Sequence, residues 1–132
     1  MNKNYLGVKD GELAPCPKSP NCVSTNTDQR DKLMEPLPFV QSKDTTKTAI
    51  KSIIAKMGRS TIKDETDDYI HVVFTSKLLK FKDDVEFYLD DSSGLIHFRS
   101  ASRTGYSDLG VNRKRMEEFS EHYYNWIEEE KN

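Results

Sequence analysis

The sequence predicts an α+β fold: a two-layer sandwich in which an antiparallel sheet of about four strands is flanked by two helices. Three observations carry that prediction. Apolar residues recur at helical spacing in two stretches, one near Asp44 and one near the C-terminus. Between them lie short segments in which apolar and polar residues alternate. All five prolines fall between Pro15 and Pro38, ahead of every periodic segment. Residues 1–43 therefore read as an irregular N-terminal arm, and residues 44–132 as a single α+β domain.

Each element has its own signal. Ala49, Ile50, Ile53, Ile54 and Met57 recur at three and four, with Lys47, Lys51 and Lys56 elsewhere, which marks an amphipathic helix. Asp44 is the expected N-cap and Gly58 the expected residue just past the end. Ser60–Lys63 reads as a weak strand and Tyr69–Ser76 as a strong one, with Ile70, Val72 and Phe74 opposite His71, Val73 and Thr75. Asp84–Asp90 sets Val85, Phe87 and Leu89 against Asp84, Glu86 and Tyr88. Asp91-Ser92-Ser93-Gly94 is a hairpin turn, and Leu95–Ser100 returns with Ile96 and Phe98 opposite Leu95, His97 and Arg99. A glycine-bearing loop over 101–111 leads to a helix near 112–128 striped by Met116, Phe119, Tyr123, Trp126 and Ile127. Short connections between strands favour antiparallel pairing, and two striped helices need a sheet face to cover.

At 132 residues the chain fits one domain. With 35% hydrophobic and 32% charged residues and a mean hydropathy of −0.78, it is polar, although 13 aromatic residues can still furnish a core. The longest apolar runs span three residues, so no segment crosses a bilayer. The first 12 residues have no apolar core of the kind a secretory signal needs. The expectation is a cytoplasmic protein. A net charge of −2 gives no reason to expect nucleic acid as a partner.

Charge placement is more informative than charge total. Residues 43–63 hold six bases and one acid, and residues 64–91 nine acids and three bases. Residues 99–115 return to five bases and one acid, and 116–132 to six acids and one base. The last helix starts with Arg113, Lys114 and Arg115 and ends with Glu128, Glu129 and Glu130, which opposes the helix dipole at both ends. Compensation is expected from Asp83, Asp84 or Glu86 at the basic turn and from Lys47 or Lys51 at the acidic tail. The alternative is an anionic ligand near Arg99, Arg103 and Arg113.

The densest polar stretch contains Arg99, Ser100, Ser102, Arg103, Ser107, Asp108, Asn112 and Arg113 around Gly105 and Gly110. Hydroxyls, arginine forks and glycine turns suit an anion cradle, so these are the candidate ligand-binding residues; the Gly-Lys-Ser/Thr ending of a Walker A loop is absent, and so is a GxGxxG pattern. Asp84 and Glu86, two apart on one strand face, are the candidate catalytic acids or ligands for a hard cation. Pairing with Arg99 on the next strand is the simpler explanation. His71, His97 and His122 lack any nucleophile setting and are expected to be structural. Cys16 and Cys22 have five residues between them and no matching histidine pair, so neither zinc nor any cofactor is expected. A short disulfide loop would also fit the spacing; a cytoplasmic chain favours two free thiols there, and tethering of the arm by a reversible disulfide stays open. Leu78, Leu79 and Phe81 alternate with lysines between two strands, and either fold back over the sheet or form a surface contact to a partner or membrane.

Three strings together resemble one family. They are Cys16-Pro17-x-Ser19-Pro20-Asn21-Cys22-Val23-Ser24, Phe81-x-Asp83-Asp84-Val85-Glu86-Phe87, and the segment from Arg99 to Arg115. In this order they resemble the domain-of-unknown-function family 1499, found largely in bacteria and in some photosynthetic eukaryotes, over about residues 14–120. The resemblance implies no activity, substrate or cofactor; it directs attention to the same cysteines, acidic strand and arginine segment. The expected function is a non-catalytic binding or accessory domain that contacts an anionic small molecule or protein partner through the arginine segment. The alternatives are a small hydrolase using Asp84 and Glu86 with Arg99 and Arg103, and a purely structural domain. The sequence fixes no oligomeric state.

Overall fold

The computed structural model describes residues 6–103 and 110–130. Two helices and an antiparallel sheet form the α+β architecture that the periodicities predict, but the sheet has six strands rather than four. The additional strands come from the arm. Strand β1 (Val8–Lys9) and strand β2 (Glu12–Leu13) make a separate small hairpin. Strand β3 (Cys22–Ser24) and strand β4 (Leu37–Pro38) join the main sheet, with a short 3₁₀ turn at Arg30–Lys32 between them. Helix α1 (Lys43–Met57) follows, then strands β5 (Ser60–Glu65), β6 (Tyr69–Thr75), β7 (Lys82–Asp90) and β8 (Leu95–Ser102), and helix α2 (Val111–Glu130). The sheet order is β5-β6-β7-β8, with β3 and β4 lying end to end along the outer edge of β8. Pro38 is tolerated because β4 is an edge strand.

The N-cap of α1 is Ser42, whose Oγ accepts from the Thr45 amide at 3.1 Å; Asp44 sits inside the first turn instead. Gly58 ends α1 at φ +78°, a left-handed conformation that a side chain would strain. Asp90 organises the β7–β8 turn, its carboxylate accepting from the hydroxyls of Ser92 and Ser93 at 2.8 Å.

The core lies between one sheet face and the helices. Ile70, Val72, Phe74, Val85, Phe87, Leu89, Ile96 and Phe98 meet Ala49, Ile50, Ile53 and Ile54 of α1 and Met116, Phe119 and Tyr123 of α2. Phe87 and Phe119 pack with ring centroids 4.8 Å apart. Val23, Leu37 and Val40 of the arm complete the same cluster. Tyr123 donates its hydroxyl to the Pro38 carbonyl at 2.6 Å, and burial pushes that phenol up to about 12.

Candidate functional site

The opposite sheet face carries the chemistry. Strand alternation puts Tyr69, His71, Asp84, Glu86, Tyr88, His97 and Arg99 there, and register sets them in rows. His71 lies opposite Glu86, and Glu86 opposite Arg99; Asp84 lies opposite Ala101, and Ala101 opposite Cys22. Despite their polarity Glu86 (0% exposed) and Arg99 (3%) are buried, as are His71 and Asp84. The arm encloses them. The Gly7 amide donates to Glu86 Oε2 at 2.7 Å, Arg99 Nη2 donates to the Pro15 carbonyl at 3.5 Å, and Leu13 is buried.

Two ionic groups occupy this face. In the first, Glu86 Oε1 sits 3.7 Å from Arg99 Nη1, while Oε2 accepts the Tyr69 hydroxyl at 2.5 Å. Burial pushes the Glu86 carboxyl up, opposed by the Tyr69 hydroxyl, the Gly7 amide and the Arg99 charge. Tyr69 is raised too, by burial and by the neighbouring carboxylate. In the second group Asp84 accepts from His71 Nε2 at 2.7 Å and from Arg103 through Nε at 3.0 Å and Nη2 at 3.1 Å. Cross-strand pairing thus accounts for both candidate acids, with one change of partner. Arg99 takes Glu86 directly opposite it, and Asp84 takes Arg103 because β8 continues to Ser102, beyond the expected end at Ser100.

The start of α2 joins the same corner. Arg115 pairs with Asp83 at 2.8 Å and lies 5.0 Å from the Phe74 ring centroid, so the basic turn is compensated by the acidic strand as expected. Lys47 and Lys51 do not reach the acidic tail; both pair with Glu65. Asn112 is a fully buried hub. Its Oδ1 accepts from Ser100 Oγ at 2.6 Å and Arg115 Nη1 at 3.0 Å, and its Nδ2 donates to Ser102 Oγ at 2.9 Å and the Asn21 carbonyl at 3.2 Å. Arg113 Nη2 donates to the Asp31 carbonyl at 2.7 Å. Ser107 and Asp108 lie outside the described residues.

Cys16 and Cys22 form a disulfide, which overturns the expectation of two free thiols. The pairing follows from geometry: the Pro17–Asn21 turn folds the chain back and brings the two Cα atoms to 5.7 Å. Lys32, absent from the sequence-based candidates, is buried and reinforces this turn, donating Nζ to the carbonyls of Pro17 at 2.9 Å and Lys18 at 3.0 Å and to Gln29 Oε1. A lysine in a polar arm carries no pattern that marks it as buried. Tyr69 was legible, since it shares its parity with His71. His97 Nδ1 is 3.1 Å from Thr25 Oγ1, and its ring stacks on Tyr88. Leu78, Leu79 and Phe81 do not fold back over the sheet; they are exposed at the β6–β7 tip.

Asn112, Asp83 and Ser102 thus tie the proline–cysteine turn, the acidic strand and the arginine segment into one corner. No curated protein and no solved structure matches the chain. A family model described as "Protein of unknown function (DUF1499)" matches residues 12–122, a span that begins in the covering arm and ends within α2, and the chain belongs to that family.

Proposed function

We propose that this domain is a non-catalytic binding module whose anionic ligand or partner meets the positive corner formed by Arg103, Arg113 and the start of α2. The observation that carries this reading is the charge at that helix end. The first turn of α2 holds no acid, and Arg113, Lys114 and Arg115 follow its first two residues. Asp84 answers Arg103, Asp83 answers Arg115, and the neutral Asp31 carbonyl receives Arg113. Positive charge at the positive end of a helix dipole is the arrangement an anion relieves. Ser100, Ser102 and Asn112 brace the corner from within. Arg99, enclosed with Glu86, holds the arm rather than a ligand.

The hydrolase alternative has less support. Asp84 and Glu86 are enclosed beneath the arm and committed to Arg103, His71, Arg99 and Tyr69, which leaves a substrate no direct approach to either carboxylate. The structural alternative draws support from the same pairs and is separated by ligand response. Millimolar phosphate should raise the melting temperature of the wild type, and Arg113→Ala should abolish that rise while leaving the ligand-free melting temperature nearly unchanged. An unaltered wild-type melting temperature across the phosphate series would leave the structural reading standing alone.

A further inference from the structure

The β6–β7 connection is a second feature, independent of the arginine corner. Thr75 and Lys82 close the ladder, and residues 76–81 project beyond it. The projection is internally braced: the Ser76 amide donates to the Phe81 carbonyl at 2.8 Å, and the Phe81 amide to Ser76 Oγ at 2.8 Å. Its apolar side chains face water, with Leu78 85% exposed, Leu79 69% and Phe81 54%. Lys77, Lys80 and Lys82 alternate with them, are exposed, and make no ion pair among the described residues. Three large apolar side chains grouped in water on a braced turn need an occupant.

Charge complementarity says which. Antiparallel order places the α1–β5 connection, the β6–β7 tip and the start of α2 at one end of the sheet. There Arg59, Lys77 and Lys114 line an open cleft beside the tip, with Glu118 its acid. The opposite end carries the β5–β6 and β7–β8 turns with Asp67, Asp68, Asp90 and Asp91, answered by Lys43. The net charge of −2 hides a molecule with a basic, apolar-tipped end and an acidic end. We infer that the Leu78–Leu79–Phe81 tip inserts shallowly into an anionic lipid bilayer, with Lys77, Lys80 and Lys82 resting among the lipid phosphates and the acidic end turned away. A protein groove would accept the apolar residues, but it gives no reason for unpaired bases on every side of them; an anionic surface accounts for both.

The test is flotation of the full chain with vesicles of phosphatidylcholine alone or containing about a third phosphatidylserine, where each lysine near the surface matters most. Wild type should bind the anionic vesicles reversibly and leave the neutral ones unbound. The triple change Leu78→Ser, Leu79→Ser, Phe81→Ser should lower binding at least ~10-fold. Lys77→Gln, Lys80→Gln, Lys82→Gln should lower it on the order of 100-fold. Both variants should keep the wild-type melting temperature, because every altered side chain is exposed. Absence of wild-type flotation, or serine and glutamine variants that float like wild type, would overturn the inference. So would a wild-type dimer that the serine variant converts to monomer, since the tip would then be a self-association surface.

Discussion

On one face of the sheet Ile70, Val85, Phe87 and Phe98 meet two helices; on the other, His71, Asp84, Glu86 and Arg99 are as thoroughly enclosed by an arm of short strands and turns. The helical face is held by contacts that have no direction, so side chains of the right volume suffice. The arm face is held by directional contacts, in which Gly7, Tyr69 and Arg99 each meet one carboxylate at a fixed position. A slip of one residue in the β7–β8 register would put Glu86 and Arg99 on opposite faces. The arm face therefore specifies register, and the helical face supplies most of the driving force.

The largest effects test that division. Phe87→Ala, on the helical face, should cost about 3–5 kcal/mol in urea unfolding. Arg99→Ala should cost on the order of 3 kcal/mol for a different reason, because it strands the Glu86 charge away from water. The two losses differ in how they are repaired. Arg99→Met combined with Glu86→Gln strands no charge and should recover more than about 1 kcal/mol relative to additivity. Arg99→Ala costing less than about 1 kcal/mol would mean that Glu86 is held without its arginine.

The helical face was also the face legible in sequence. Ile70, Val72 and Phe74, then Val85, Phe87 and Leu89, announce their direction by alternation alone, and α1 and α2 announce theirs by a 3.6-residue period. The arm was not legible, because Cys22–Ser24 and Leu37–Pro38 are too short to show any period and earn their strand geometry only from β8. Residue types at the site could be read, but partners could not. Arg99 and Glu86 were placed on one face by counting; that Asp84 takes Arg103 depends on where β8 ends. Two cysteines in an arm of uncertain path gave compartment as the only guide to their state, and compartment pointed to thiols where the turn at Pro17–Asn21 makes a disulfide.

The disulfide sharpens the comparison further, because it acts on one face. It closes a loop across a sequence separation of 6, for which chain-entropy reasoning gives about 2 kcal/mol. Cys16→Ser with Cys22→Ser, or reduction of the native chain, should lower stability by about that amount. The loss should also be local. Amide exchange should accelerate in residues 7–13 and 22–24, which the turn anchors, and stay slow in β6 and β7. Equal acceleration throughout the sheet would show that the arm and the helical face unfold as one unit.

The smallest effect is the pH dependence of the arm face. Glu86 has its folded-state value raised, chiefly by burial, so the folded protein holds that proton more tightly than the unfolded chain does. The sign follows: this residue favours folding most at low pH, and its contribution falls as pH rises from the ordinary carboxylate value of 4.5 through the raised one. Glu65, Asp67 and Asp90 act in the opposite sense. Lys51 and Lys47, Lys43, and the Ser92 and Ser93 hydroxyls hold them low, so their contribution is lost as pH falls below the usual carboxylate range. These three are solvent-facing and common to any variant of Glu86. Subtracting the pH profile of Glu86→Gln from that of wild type therefore isolates the buried carboxyl. Urea unfolding of both proteins between pH 4 and pH 8 should show wild type losing stability relative to the variant as pH rises. A difference that is flat, or that grows in favour of wild type, would mean that Arg99, Tyr69 and the Gly7 amide outweigh burial and keep Glu86 ionised without cost.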